Sequence, residues 1–79
     1  MALNELLASM AKGLVEDPAA VVVQQDEANE EGTVVYHLHV APDDMGRVIG
    51  KQGRIAKAIR TVMRAAATRR ESRVSVEID

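Results

Sequence analysis

Gly50-Lys51-Gln52-Gly53 sets two glycines around a cation and an amide, with Arg47 and Arg54 close on either side. A glycine has no Cβ and accepts positive φ, so the chain can turn tightly there and let another molecule reach its main chain. A helix starting near Gly53 would aim the positive end of its dipole at the same spot, where Lys51, Arg54 and Arg47 add whole charges. Phosphate is the ligand this arrangement suits.

Other chemistries find less support. Gly46 to Gln52 faintly resembles a nucleotide-binding P-loop, but that motif needs four residues between its glycines and a Ser or Thr after the lysine. Here Gly46 and Gly50 are separated by Arg47, Val48 and Ile49, and Gln52 follows Lys51, so nucleotide hydrolysis is not expected. His37 and His39 share a strand face without cysteine or an evident third ligand, so no metal site is expected. Asp43 and Asp44 follow Pro42, where an aspartate caps a helix start, which explains them better than an acid–base pair does. No catalytic residue, cofactor or metal is therefore assigned.

Charge placement points the same way. The net charge of −2 hides a division: residues 1–44 hold nine carboxylates against Lys12, and residues 45–73 hold nine Lys or Arg against Glu71. Such asymmetry suits a polyanion-facing surface. The 79 residues allow one domain with a single core. No apolar run approaches the roughly 20 residues of a membrane span, and the N-terminus lacks the basic start of a signal peptide, so a cytoplasmic protein away from membranes is expected.

The elements that must hold the glycine pair follow from periodicity. Leu3, Leu6, Leu7, Met10, Ala11 and Leu14 recur at helical spacing and predict an amphipathic helix, closed by Asp17 because Pro18 follows. Its stripe reads most simply as core, without a functional part, though a partly uncovered stripe could pair with a partner. Val21-Val22-Val23 predicts a strand within 19–25, and Asp26 to Gly32 a hairpin loop. In Thr33 to Val40, Val34, Tyr36, Leu38 and Val40 share the buried face, opposite Val35, His37 and His39. A short helix carrying Met45, Val48 and Ile49 stops at the glycines. A longer one turns Ile55, Ile59, Val62, Met63 and Ala66 inward, and Val74, Val76 and Ile78 mark a last strand. The α+β order α-β-β-α-α-β implies an antiparallel hairpin, a last strand parallel to a neighbour, and a three-stranded mixed sheet with helices on one face.

Val48-Ile49-Gly50-Lys51-Gln52-Gly53 resembles the I-G-x-x-G signature of the KH (K-homology) nucleic-acid-binding domain, and this element order is that of its type II form. The resemblance covers 1–79 as a single KH domain. Met45 to Arg54 and Ala58 to Val62 carry a narrower resemblance to the small stand-alone bacterial members of the family. It implies a clamp on about four backbone nucleotides of single-stranded RNA. Residue by residue, it makes Arg47, Val48, Ile49, Gly50, Lys51, Gln52, Gly53, Arg54 and Lys57 the RNA-binding set. Gly50 and Gly53 would give close approach, Lys51 and Gln52 would face phosphates, and Val48, Ile49, Ile55 and Ile59 would supply the groove floor and the packing beneath it. Ala56 departs from the family pattern, which places a larger aliphatic residue there.

The resemblance further implies an RNA chaperone or post-transcriptional regulator linked to cell shape and cell wall homeostasis, working as a homodimer or with KhpB, a larger KH-containing RNA-binding partner. A KH-fold dimerisation or adaptor module with weak RNA contact is the alternative. Tyr36 is the only aromatic residue. A surface that stacks successive bases on aromatic rings is therefore excluded, and modest selectivity with salt-sensitive affinity is expected.

Overall fold

In the computed structural model, which describes residues 2–79, the central strand is β2 (Thr33–His39). It pairs antiparallel with β1 (Val22–Gln25) and parallel with β3 (Arg73–Ile78), giving the order β1-β2-β3. The expected mixed sheet is therefore present. Its period of two is visible in burial: Tyr36, Leu38 and Val76 are buried, whereas His39, Ser75 and Glu77 are exposed.

Helices close the buried face. α1 (Leu3–Leu14) contributes Leu3, Leu7 and Ala11, and the helical segment α2 (Pro42–Arg69) contributes Val48, Ala56, Ile59, Met63 and Ala67. Leu7, Leu38, Val40, Val48, Ile59 and Met63 are almost fully enclosed, and each such burial contributes roughly 1.5–3 kcal/mol. Proline at the first helical position of α2 suits a site that has no intrahelical use for its missing N–H. At the far end Glu71 takes a left-handed turn (φ 55), and the Ser72 N–H returns to the Ala67 carbonyl at 2.9 Å. That closure sends the chain directly into β3.

Three details differ from the sequence expectation. Ala19 and Ala20 fall in a single 3-10 turn, Pro18–Ala20, so β1 is shorter than the valine run suggested. The inward ridge after the glycines is Ala56, Ile59, Met63 and Ala67, while Ile55 and Ala66 are half-buried and Val62 is exposed. Neither Asp43 nor Asp44 caps α2, because the cap position is Ala41 and makes no side-chain cap bond.

The open face of the sheet carries an ionic cross-tie. His37 Nε2 donates to Asp26 Oδ2 at 2.9 Å, and its Nδ1 lies 3.5 Å from Glu77 Oε2. The hydrogen bond to Asp26 raises the His37 pKa above its ordinary 6.5; burial opposes this, and the charges of Asp26, Glu77 and Asp79 reinforce it. A raised folded-state pKa gives stability that is fully present below the unfolded value and lost as pH rises through the folded one. Melting temperature should therefore decline across that window in melts taken from about pH 5.5 to 8.5, and His37→Gln should flatten this part of the profile.

Candidate nucleic-acid interface

Between Ile49 and Arg54 the helical segment α2 is interrupted by a kink that divides it into two arms. Gly50 is extended (φ −73, ψ 179), and Lys51 (φ 51), Gln52 (φ 63) and Gly53 (φ 70) follow in the left-handed region. Two non-glycine residues in that region cost on the order of 1–2 kcal/mol each. The core anchors on either side, Val48 before the break and Ala56 and Ile59 after it, hold the turn in place. Lys51 and Gln52 are left exposed at its tip.

The two glycines play different parts. Gly53 has a φ that favours glycine. Gly50 has a φ any residue adopts, and a Cβ built there would meet nothing within 4 Å. The fold does not require glycine at 50, whereas an approaching ligand would benefit from it.

Beside the turn lies a cleft of about 360 Å³ lined by Leu14, Gly46, Arg47, Gly50, Lys51, Arg54 and Ile55. It brings together Arg47, Gly50, Lys51 and Arg54 from the expected set. Ile49, Gln52, Gly53 and Lys57 do not line it; Ile49 is 51% exposed and Lys57 is exposed on the second arm. Val48 and Ile59 are core residues beneath the site, and Ala56 is enclosed with them. The smaller residue at 56 therefore serves core packing, and the apolar lining of the cleft comes from Ile55 and from Leu14 of α1. Leu14 ends the α1 stripe and is 44% exposed, so this helix is not confined to the core.

Sequence reasoning also missed the groups behind the cleft. Asp44 is 2% exposed and accepts N–H bonds from Glu16 at 3.0 Å and Asp17 at 3.1 Å, tying the exit of α1 to the first arm of α2. Arg47 Nε lies 3.9 Å from Asp44 Oδ1, and its terminal nitrogen donates to Glu16 Oε1 at 2.6 Å. Apart from Arg47 and Asp44, which are three residues apart, these partners are 27 to 31 residues apart in the chain, and no local pattern announces them. Among the described residues, Lys51, Arg54 and Lys57 enter no ion pair. The second arm also starts at the turn and points the positive end of its dipole there.

A three-stranded mixed sheet with helices on one face, the second helical segment broken at a G-x-x-G turn, is the type II KH architecture. Known proteins agree. A family model described as KhpA/KhpB, KH domain matches residues 4–78. RNA-binding protein KhpA of Clostridium acetobutylicum is 54% identical over 76 residues, spanning 96% of this chain and 99% of that one. Its counterpart from Listeria monocytogenes is 45% identical over 96% of this chain and 97% of its own. The chain belongs to the KhpA/KhpB KH-domain family.

Solved structures show the same fold at low identity. Aquifex aeolicus Era bound to GDP·AlF4− matches with a TM-score of 0.67 and 20% identity, over 96% of this chain and 29% of that one. Era in complex with MgGDPNP and nucleotides 1506–1542 of 16S ribosomal RNA matches with a TM-score of 0.65 and 19% identity, over 96% of this chain and 28% of that one.

Two stability experiments check this geometry. Asp44→Ala strips two amides of a buried carboxylate and should cost about 2–4 kcal/mol, read as a large drop in melting temperature, whereas Asp44→Asn should retain one of the two bonds, because each amide donates to a different oxygen and the new NH2 accepts nothing. Gly53→Ala should cost about 1–2 kcal/mol through its left-handed φ, while Gly50→Ala should stay within about 0.5 kcal/mol of the parent in urea titrations.

Proposed function

We propose that this protein is a non-catalytic single-stranded RNA-binding module that clamps the sugar–phosphate backbone at Gly50–Gly53. Lys51, Gln52 and Arg54 receive phosphates, Gly50 and Gly53 permit close approach, and Arg47, Ile49 and Lys57 flank the strand over Val48. The observation that carries the reading is Gly50: its backbone accepts any side chain and the space above it is open, beside two strained, exposed polar residues. Backbone strain held in place by a packed core is characteristic of binding sites. The relatives' names support the ligand class, being RNA-binding proteins.

On this reading the protein acts as an RNA chaperone or post-transcriptional regulator in the cytoplasm, as a homodimer or with KhpB, in the context of cell shape and wall homeostasis. A partner would add avidity to a domain that reaches few phosphates. The exposed apolar residues Leu14, Ile49 and Val62 favour self-association as a second use of the helical layer.

Anisotropy of a short labelled single-stranded RNA across salt concentrations tests the clamp. The double variant Lys51→Asp, Gln52→Asp should bind at least about ten-fold more weakly, with a salt slope shallower by roughly 0.7 for each phosphate no longer neutralised, and should melt like the parent. Equal binding by the two proteins without salt dependence would sink the reading and leave the adaptor role.

A further inference from the structure

The sheet has two edges, and they are finished differently. β1 closes one side with four residues soon after the Pro18–Ala20 turn, and so short an edge seldom recruits another strand. β3 closes the other with six, paired only on its inner side. The Asp79 N–H donates to the Leu38 carbonyl at 2.9 Å, so Asp79 faces β2, and because backbone groups alternate along a strand, Glu77 and Ser75 do the same. Val74, Val76 and Ile78 therefore turn their N–H and C=O groups to the free side. Arg60 agrees with this assignment, since its Nε reaches from α2 and donates to the Val76 carbonyl at 3.2 Å.

Two further features of that edge narrow what it can take. Val74 and Ile78 lie on the inward face of β3 with Val76, yet they are half-buried where Val76 is buried, so the core ends there in an apolar shoulder. Clefts of about 110 and 300 Å³, lined from β3 and the second arm of α2, share Arg64 and Val74, with Arg60 in the first and Arg73 in the second. Among the described residues, these three arginines enter no ion pair. An extended polypeptide matches all of this at once: its backbone answers the unpaired groups, its apolar side chains cover the shoulder, and its carboxylates meet the arginines. A phosphate backbone would use the arginines alone.

We propose that the free edge of β3 is a strand-addition site for an extended segment of a partner protein that carries carboxylates beside apolar side chains. The segment pairs with Val74, Val76 and Ile78, covers the apolar shoulder, and draws Arg60 from the Val76 carbonyl onto a carboxylate, with Arg64 and Arg73 beside it. In the free protein Arg60 occupies part of the edge, and its charge deters strands that bring no acid, which makes the site selective. Lys51, Gln52 and the glycines take no part, so the site stands independently of the RNA clamp.

Anisotropy of a labelled octapeptide of alternating valine and glutamate, titrated with the full chain, tests the site; saturable binding is expected. Two further peptides are N-methylated, one at every valine and one at every glutamate, so that charge is kept and alternate N–H groups are removed. One of them should bind at least about ten-fold more weakly, having lost its bonds to the edge, while the other, methylated on its solvent side, should stay within about two-fold. Lysine in place of glutamate, or the double variant Arg60→Glu, Arg64→Glu, should also weaken binding by about ten-fold. Val74→Pro removes an outward N–H and no bond to β2, and should weaken the peptide in a protein that still melts cooperatively. Equal binding of the two methylated peptides would reduce the contact to charge attraction and overturn strand addition. So would a parent chain that binds no peptide, including the case where Arg60→Ala alone acquires binding and Arg60 proves a guard of the edge. If no peptide binds and Val74→Pro instead weakens a short single-stranded RNA, the edge serves RNA and the proposal is overturned. None of these outcomes bears on the clamp, which Lys51→Asp, Gln52→Asp tests separately.

Discussion

A left-handed turn clamped between two helical arms is the constraint on which this structure depends. Three successive residues in the left-handed region, two of them not glycine, would relax if either arm of α2 could shift. Neither can, because Val48 is locked in the core four residues before Gln52 and Ala56 and Ile59 are locked just after Gly53. One enclosed aliphatic side chain contributes roughly as much as one left-handed residue costs, so core anchors on both sides can sustain the break. A close-packed interior makes such a turn stiff. A ligand then meets a surface already in shape, and little binding energy is lost to ordering it.

The second constraint is the carboxylate of Asp44. An ionised group this deep would be unfavourable alone, and here it is satisfied by two backbone amides and a nearby guanidinium. Its partners come from the exit of α1, so satisfying the charge also fixes how α1 leaves the core and where Leu14 and Glu16 emerge. An apolar residue at 44 would leave those amides unanswered. The bond set therefore links an N-terminal helix to the rim of the glycine turn.

How much of this was legible in the sequence depends on the range of the interaction. Periods of two and 3.6 gave the strands, the helices and the buried face of β2, because backbone geometry alone fixes which residues share a side. The broken helix was legible from the spacing of Gly50 and Gly53. What escaped was set by distant partners. Asp44 beside a proline looks like a helix cap, and only the fold brings Glu16 and Asp17 to it. Ile55 was read as inward, yet Ala56 takes the buried place: 55, 59, 62, 66 and 56, 59, 63, 67 are both helical spacings that share Ile59, and only packing against the rest of the fold chooses between them. Leu14 continued a core stripe by spacing, yet at the end of α1 it is 44% exposed and lines the cleft beside the turn. The non-glycine left-handed residues at 51 and 52 had no local signal.

Charge placement completes the physical picture. Asp26, Glu77 and Asp79 surround His37 on the open side of the sheet, whereas Arg47, Lys51, Arg54, Lys57, Arg60 and Arg64 lie along α2 on the other. The molecule measures 34 × 23 × 22 Å, and at physiological ionic strength charges are screened over about 8 Å. A polyanion near the glycine turn therefore responds mainly to the local cations, and the acidic sheet face does little to cancel them. The acidic groups that matter at the turn are the near ones, Glu16 and Asp44, and these are bound to Arg47. Attraction at the turn is thus left to Lys51 and Arg54, which enter no ion pair among the described residues.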